Sequence, residues 1–575
     1  MRPQGPIPRM LLNHIKTPHR DVCIPGSPHV LLLSLLFMGV PHLGASSDTI
    51  LHSTAIFNVK NYGATGRKAD DARLAIQKAI DAAGISGGTV YLPPGDYTSG
   101  TLRLRSHVNL YFEAGATLFA SEDPSAFDLQ KVKSKDALLF GEDLEDISIG
   151  GRGTIDGQAK YLWAPDTTER NFSHKILMLT LGKSQMRSYP EGFPQREVYP
   201  HLLWLGRSKN VSITGLSFLR SPSWTFAFFA CSRVVIDRIY IYTSLKEAVW
   251  ADGIDIVSSN DISISDSTIV TGDACIVFVC GIPEWGPAYP CEDITVTNCR
   301  LSSASAAIKF SEGNSNLIRH ILVNNCAIFD TNRGLTLQIA TGGTIRDVVI
   351  SNLTMDLHRF DWFWAGDGNA FNFEIKRTSE WNGEPRKPSE PGPGLIRDVI
   401  IHDVIVHCQG TSQIEGHPER PLEGVTFANI KFYISSDPAA PYDTATHALI
   451  FRRAKNLKLR NIEVNWEKPT FDKWQAALLV ENVDGLELDG FTGNSAWPER
   501  GIPAVILSHA QNATVRNAQA PPGTNVFLKI VGTNAHDIHL VGNDFHEAKI
   551  PYTLDSEVNP ENVTALDNFL PPAAR

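Results

Sequence analysis

The sequence has little of what metal-binding and nucleic-acid-binding proteins require. Its 8 cysteines include no CxxC pair, and its histidines form no cluster at metal-ligand spacing, which argues against a structural zinc site. Acidic residues outnumber basic ones, 62 to 52, and the net charge of −10 argues against nucleic acid as a partner. A local basic patch can oppose the global sign, so an acidic sugar stays open as a substrate. We expect no metal and no organic cofactor.

Long apolar runs are also few, and the run near the N-terminus is short for a membrane span. Residues 30–40 form this run, which follows several basic residues and precedes small residues near Ala45. This order is typical of a secretory signal peptide, whereas a transmembrane helix needs ~20 apolar residues. The sequence predicts a signal peptide over residues 1–45, export to the periplasm or the extracellular space, and no stable membrane insertion after cleavage. A single membrane anchor is the alternative.

Seven cysteines remain after the predicted cleavage, an odd number. Cys280 and Cys291 bracket a loop rich in proline and glycine, so a disulfide between them is plausible in an oxidising compartment. Cys299 and Cys326 fall inside the repeats described below, and we expect them to point into the core as small apolar residues.

Residues 57–121 read as an opening cap unit. Asp70–Ala83 has the pattern of an amphipathic helix, with apolar residues on one face and Asp70 or Asp71 near its N-cap. Strand and turn patterns flank this helix. A helix at the start of a repeat protein covers the open end of the core and its unpaired strand edge.

A short β pattern then returns every ~25–30 residues, the period of a solenoid. In each copy a polar residue precedes alternating apolar positions, which is strand geometry. The clearest copies begin at Asp146, Asn210, Asp261, Asp293, Asp347 and Asp398, and weaker ones at Gly424, Asn456, Gly485, Asn512 and Asp537.

These repeats predict an all-β fold, a single-stranded right-handed parallel β-helix with an N-terminal capping helix, over residues 46–575. Two segments break the rhythm, 160–200 and 358–396. Insertions in a solenoid project from one face and often line a binding groove. The tryptophans of the second segment could stack on sugar rings or pack over the flank of the coils; they are Trp362, Trp364 and Trp381.

Two aspartates lie about one repeat apart, Asp252 and Asp273. Residues one repeat apart stack on neighbouring coils, whose strands are ~4.8 Å apart. Both carboxylates can therefore face one groove and do acid–base work on a glycosidic bond. Asp273 precedes the apolar run Cys275–Cys280, so we expect burial to raise its pKa, which suits a general acid. The alternative role for either residue is that of a turn aspartate.

The sequence resembles the pectin-degrading β-helix proteins, and glycoside hydrolase family 28 in particular. The resemblance is carried by Tyr62–Ala64, Gly87–Val90 and Pro94–Tyr97 in the opening unit, and by Ala251–Asp255 with Gly272-Asp273 further on. It covers roughly residues 57–490 and implies hydrolysis of a pectic polysaccharide. In the family, the first motif supplies a base on water and a paired Asp-Asp supplies the acid and a second base. Asp252 then matches the base and Asp273 the acid.

Three features of family polygalacturonases are absent. Ala274 replaces the second aspartate of the pair, Ala304–Ala306 has no histidine, and Thr336–Gln338 stands where an Arg-Ile-Lys motif binds galacturonate. Rhamnogalacturonan-type members of the family also lack the histidine, so its loss indicates a substrate other than plain homogalacturonan. The loss of the second aspartate acts differently, because one carboxylate base positions the water less tightly than two. Ala307–Phe310 with Glu312 resembles a bacterial branch of the family, in which Glu312 could replace the lost base.

Five further residues are candidates for substrate binding. Lys309 lies between Ile308 and Phe310, so it faces away from the core, and Arg333, 24 residues later, could stack beside it as a second cation for a uronic acid. Two unrelated solvated charges are the alternative. Asp255 is a candidate partner of the catalytic pair, and Trp224 and Trp250 are either sugar platforms or edges of the core.

The sequence therefore predicts an exported inverting glycoside hydrolase that acts on a pectic or related acidic polysaccharide or oligosaccharide. Asp273 is the predicted acid, and Asp252, helped by Glu312, the predicted base. An inactive carbohydrate-binding relative, a polysaccharide lyase and a structural surface protein are the alternatives. The oligomeric state, the linkage and the choice between exo and endo cleavage stay open.

Overall fold

The computed structural model describes residues 55–127, 135–159, 200–245, 248, 250–360, 366, 368–436, 445–467 and 472–572, and the backbone of 163–165 and 194–196. The predicted signal peptide, most of the segment 160–200, and Trp362 and Trp364 lie outside these residues.

The polar residues that begin each repeat sit at left-handed corners of the chain. All of them have positive φ, from 51° at Asp398 to 58° at Asp293 among the clear copies. Aspartate, asparagine and glycine tolerate this conformation better than other residues. The weaker copies share it, which confirms every predicted repeat start; they are Gly424, Asn456, Gly485, Asn512 and Asp537.

After each corner, alternate residues enter the core. Ile262 and Ile264 are 2% and 0% exposed, and they pair in register with Ile294 and Val296 on the next coil. Because strand side chains alternate between the two faces, every second residue joins one continuous interior cluster. The predicted parallel β-helix is confirmed.

Three parallel sheets run along the solenoid, and some strands are long enough to bend from one sheet into the next. The sheet that carries the predicted site is called the site sheet. It contains Leu102–Arg103, Ala137–Glu142, His201–Gly206, Phe226–Phe229, Ile254–Val257, Ile276–Val279, Ala306–Phe310, Arg333–Ile339, Asn369–Ile375, Ser412–Glu415, the start of Leu449–Glu467 and of Leu478–Asp489, Pro503–Ser508, Val526–Val531 and Ile550–Leu554.

The second sheet follows the left-handed corners. It contains Ile56–Asn58, Gly88–Leu92, Val108–Phe112, Glu145–Gly151, Lys209–Thr214, Ser232–Asp237, Asn260–Ser265, Cys291–Thr297, Leu317–Thr331, Thr344–Leu357, Leu395–Cys408, Leu422–Glu423, Thr426–Ser435, Gln511–Arg516, His536–Val541 and Val563–Leu566, with the middle of the two long strands named above.

The third sheet closes each coil. It contains Gly95–Ser99, Ala116–Ala120, Thr154–Asp156, Ser217–Leu219, Tyr240–Tyr242, Thr268–Thr271, Arg300–Ser303 and Thr492–Gly493, together with the distal halves of the long strands of the second sheet. A separate antiparallel pair, Trp163–Pro165 with Pro194–Arg196, lies in the first insertion.

The predicted opening helix is present as Arg73–Ser86. Its apolar face, including Ile76 and Ile80, is fully buried in the interior cluster, and Asp71 accepts a hydrogen bond from the Arg73 amide at 2.8 Å. Within the described ranges, Thr378–Asn382 is a second, short helix, and the 3-10 helices are Val59–Tyr62, Pro124–Ala126, Pro498–Arg500 and Pro560–Asn562.

The cysteines correct one prediction and confirm another. Cys280 and Cys291 are free, buried thiols, so the predicted disulfide is not formed in this structure. Burial and the neighbouring Cys280 side chain raise the pKa of the Cys291 thiol. Cys299 and Cys326 are 1% and 3% exposed and lie in the core, as predicted.

Among the described residues, we find no helix with the length and hydrophobicity needed to span a bilayer.

Candidate active site

Three aspartates meet on the outer face of the site sheet. Asp252 immediately precedes the strand Ile254–Val257, Asp255 lies in that strand and faces outward, and Asp273 precedes the next strand, Ile276–Val279. They are 6%, 1% and 7% exposed. The register therefore brings together the pair that the sequence separates by one repeat, and adds Asp255 to it.

The backbone amide of Ala274 joins the two predicted catalytic residues. It donates to Oδ1 of Asp252 at 3.0 Å and to Oδ1 of Asp273 at 2.9 Å. The two oxygens thus lie within two hydrogen-bond lengths of each other. The Ala274 side chain is fully buried, so the position that lacks the expected carboxylate still contributes its amide to the site.

Burial makes these carboxyl groups hold protons more tightly than usual. Burial and the nearby Asp273 and Asp255 raise the pKa of Asp252 well above its ordinary value. Burial and Asp273 do the same to the pKa of Asp255. Burial raises the pKa of Asp273 to about 6, although the Lys309 charge and a hydrogen bond from the Ser305 side chain oppose the rise. The cluster therefore carries a transferable proton at mildly acidic pH.

Lys309 supplies the positive charge that faces this cluster. It lies on the same outward row as Asp255, with Val277 between them, while Ile308 and Phe310 enter the core. Burial alone lowers the pKa of Lys309, but the carboxylates of Glu312, Asp273 and Asp252 raise it on balance, so the side chain stays charged.

Glu312 is tied to Lys309 at the turn after the strand Ala306–Phe310. Its Oε2 lies 3.1 Å from Lys309 Nζ. Burial raises the pKa of Glu312, but the charge and hydrogen bond of Lys309 outweigh it, so the net shift is downward. Glu312 is therefore an ionised carboxylate beside the buried, proton-holding group.

The register places Arg333 differently from its predicted position. Arg333 is on the coil after Lys309, but it pairs with Ala306, whereas Thr336 pairs with Lys309. The predicted stacking of Lys309 on Arg333 is therefore offset by three residues along the strand. Arg333 stands instead on the row that continues from Asp252 through Ala274 and Ala306.

Besides Nε1 of Trp204, two buried polar atoms on the outer face have no hydrogen-bond partner within the described part of the chain. They are Oδ2 of Asp255 and Oγ1 of Thr336, which lie on one outward row on either side of Lys309. A buried polar atom without a partner is costly and calls for an explanation. A hydroxyl-rich ligand laid along this row would satisfy both.

The tryptophan candidates lie on one side of the carboxylates. Trp224 is half-buried, and Thr225, which follows it, donates from its amide and hydroxyl to the Asp252 carbonyl at 2.8 and 3.0 Å. Trp250 is half-buried two residues before Asp252. Trp381, in the second insertion, is half-buried, with Lys376 Nζ 5.6 Å from its ring centre.

Sequence reasoning missed an apolar cluster outside the coils. We call it the outer apolar cluster; its principal members are Phe140, Trp204, Phe229, Val257, Val279 and Trp285, all nearly fully buried. The signal was present, because the strands Phe226–Phe229 and Ile276–Val279 are apolar at outward as well as inward positions. Such strands are covered on both faces.

One group of side chains in the described residues has metal-ligand geometry, His107 with Glu145 and Asp146. Glu145 already pairs with Lys209 at 2.7 Å, and Asp146 accepts from Asn210 at 2.8 Å. The group lies on the second sheet, at the corners, and its carboxylates are engaged within the protein.

Residues 84–358 match the model for Glycosyl hydrolases family 28. The sequence resemblance to this family is confirmed. The matched segment holds all the predicted site residues, and over it the chain is polygalacturonase-like.

The sequence identity to individual relatives is low, but the similarity covers most of this chain. The chain is 25% identical to a probable polygalacturonase of Vitis vinifera over 61% of this chain and 68% of that one. It is 28% identical to exopolygalacturonase A of Aspergillus niger over 68% and 88% of the two chains.

The fold is also shared with solved structures. A family 28 exopolygalacturonase of Yersinia enterocolitica superposes with a TM-score of 0.57 at 20% identity, over 76% of this chain and 79% of that one. An exopolygalacturonase of Thermotoga maritima gives 0.54 at 19% identity, over 72% and 92%.

Proposed function

We propose that the protein is a glycoside hydrolase that cleaves a pectic or related acidic polysaccharide by inverting acid–base catalysis. The observation that carries the proposal is the buried cluster of Asp252, Asp255 and Asp273 facing Lys309, inside the segment that matches family 28. A cluster of carboxyl groups with raised pKa values beside a fixed cation is suited to moving a proton onto a glycosidic oxygen.

In the proposed reaction, Asp273 donates its proton to the glycosidic oxygen and the bond from this oxygen to the anomeric carbon breaks. Water attacks that carbon from the opposite face and loses its proton to a carboxylate base. Asp252 and Glu312 are the candidate bases; the acid role of Asp273 follows the family resemblance.

The position of Glu312 bears on the stereochemistry. Inverting enzymes usually separate their two carboxyl groups by ~6.5–9.5 Å, to leave room for the water. The Oδ1 atoms of Asp252 and Asp273 share one amide and are closer than that. Glu312 is paired with Lys309 and its pKa is lowered, so it supports inversion as an ionised base other than Asp252.

The outer face also supports a substrate other than plain homogalacturonan. Thr336 and Gln338 are the outward residues of the segment that stands in place of the galacturonate-binding Arg-Ile-Lys motif, and neither is a cation. Gln338 is hydrogen-bonded to Glu374 at 3.2 Å. Lys309 is paired with Glu312, and Lys376 with Glu374. Consecutive free carboxylates on the substrate would be repelled by Glu312 and Glu374. We therefore propose that neutral sugars or esters alternate with the uronic acids.

The decisive experiment compares the mature protein on polygalacturonate and on rhamnogalacturonan. We expect new reducing ends, faster on rhamnogalacturonan, with inversion at the anomeric carbon seen by proton NMR of the first products. Products that absorb in the ultraviolet through a new double bond would instead identify a lyase. Retention of configuration would contradict the proposed mechanism.

An inactive carbohydrate-binding protein is the second candidate, and Ala274 favours it. Without the second aspartate, the water is positioned by fewer groups, and misplacement by ~1 Å can cost about a hundredfold in rate. Oligosaccharide binding by calorimetry, with no turnover on either polymer, would establish this candidate and reject the first.

Export is proposed from the N-terminal residues. If residues 1–45 are a signal peptide, the secreted protein expressed in a suitable host will begin close to Ala45. Mass spectrometry of its N-terminus tests this, and a full-length chain retained in the cytoplasm would contradict it.

A further inference from the structure

The outer face of the site sheet is closed on one side of the carboxylates. The outer apolar cluster fills the face of the coils that precede Asp252 and extends to Val279 on the Asp273 coil. Phe140 and Trp204 stack there with ring centres 5.2 Å apart, on outward positions one coil apart. On the same row, the following coils carry Ala227 and then Asp255. On this row the aromatic side chains therefore end before the acidic site begins.

The segment 281–290 covers this apolar face. It leaves the coil of Asp273 and turns back, because Trp285 has its ring centre 6.1 Å from Phe229 and 5.6 Å from Trp204. These two residues lie two and three coils earlier, and at ~4.8 Å per coil the segment crosses ~10–14 Å of the sheet. Trp285 is also 5.6 Å from Trp224, which lies beside Asp252.

Hydrogen bonds hold this covering segment at several points. The Ala288 carbonyl accepts from the Asn316 side chain at 2.8 Å, and the Tyr289 amide donates to Ser258 Oγ at 3.2 Å. Within the segment, the Trp285 amide donates to the Ile282 carbonyl at 2.9 Å. The covering is thus part of the packed structure.

The other side of the site is polar. Beyond Lys309, the same outward row carries Thr336, Asn372 and Gln413 before it becomes apolar again at Ile450. A sugar chain whose scissile bond lies at Asp252 and Asp273 can therefore extend over the coils that follow the site, but meets Trp285 and Trp224 over the coils that precede it.

We infer that the protein is an exo-acting enzyme, in which Trp285 limits the number of sugar units on the closed side of the scissile bond. The inference rests on the proposed hydrolase function. Trp224, half-buried beside Asp252, forms the platform for the terminal sugar ring, and cleavage releases a mono- or disaccharide from one end of the polymer.

The test follows product size and viscosity together on whichever polymer the wild-type protein hydrolyses. We expect a mono- or disaccharide from the first time point, with little fall in viscosity while reducing ends accumulate. Oligosaccharides of mixed length at early times would overturn this inference and leave the hydrolase function intact. No hydrolysis of either polymer would overturn both.

Substitution of the covering residue makes the test specific. Trp285→Ala should add longer oligosaccharides and a faster fall in viscosity per bond cleaved, whereas Trp285→Phe should keep the wild-type pattern. Trp497→Ala is the matched control, because Trp497 is a half-buried tryptophan near the C-terminus that packs against Arg500. An unchanged product pattern in a folded Trp285→Ala protein would assign the limit to another residue and contradict the inference.

Discussion

Aspartates occupy two kinds of position in this solenoid, the left-handed corners and the candidate site. At the corners, Asp261 and Asp293 are exposed and have φ near 55°, where their role is to make the turn. In the site, Asp252, Asp255 and Asp273 are buried and have raised pKa values. The same side chain therefore serves backbone geometry at the corners and, in the proposed mechanism, proton transfer in the site. Burial separates the two roles.

The largest expected difference between the two kinds of aspartate comes from making the same substitution at a site position and at a corner position. Asp273→Asn removes the proposed proton donor, and we expect kcat to fall by ~10²–10⁴. Asp261→Asn should leave kcat unchanged, because asparagine also accepts a left-handed corner. Initial rates of reducing-end release measure both. Equal activity of the two variants would remove Asp273 from the mechanism.

A second test concerns the cation that faces the site. Lys309→Met removes a charge that lowers the pKa of Asp273, so that pKa should rise. The acid then keeps its proton to higher pH, and the alkaline limb of kcat/KM should move upward by about one unit.

Lys431→Met is the control for this substitution. Lys431 pairs with Glu463 at 2.9 Å on the third sheet, away from the candidate site. Its pH profile should match the wild type. A downward or absent shift in Lys309→Met would contradict the proposed charge coupling.

The third test measures stability instead of rate. Because the pKa of Asp255 in the folded protein is raised, its contribution to stability is complete below the unfolded value of ~3.9 and is lost as the pH rises through the folded value. Asp255→Asn should therefore raise Tm by a few degrees at pH 7 and by less at pH 4. Calorimetry at the two pH values decides, with Asp261→Asn as the variant expected to show no such pH dependence.

The smallest expected effect lies at a corner. Asp261→Val forces a β-branched residue into the left-handed region, which costs ~1–2 kcal/mol. We expect a Tm lower by one or two degrees at pH 4 and at pH 7 alike, with normal activity. A loss that appears at only one pH would mean that the Asp261 charge, and not its backbone conformation, matters.

Much of the fold could be predicted because each left-handed corner favours a few residue types, which can be recognised in the sequence. Asn456, Gly485 and Asp537 begin weak repeats, yet the left-handed conformation that favours these residue types is present at all three. The outward orientation of Lys309 followed from its two apolar neighbours. The opening helix was also readable, although it begins at Arg73 and not at Asp70.

The finer arrangement of the site depended on loop lengths that periodicity does not encode. Arg333 lies one coil from Lys309, but the turns between them shift the register so that Thr336 takes the adjacent place. Trp285 lies in a loop whose direction no repeat signal fixes, and its return over the preceding coils emerged only from the structure. The Cys280–Cys291 disulfide was inferred from the same loop, whose ends meet as free thiols.

The side chains of the outward row from Asp255 through Lys309 to Gln413 are regularly spaced along the solenoid. Neighbouring side chains of this row lie one coil apart, ~4.8 Å, and an outward side chain can be replaced without a change in the backbone. In the proposed function, a charge moved from position 309 to position 336 would therefore be displaced by ~4.8 Å along a bound sugar chain. Substrate preference in such a protein can change in fixed increments, one side chain at a time.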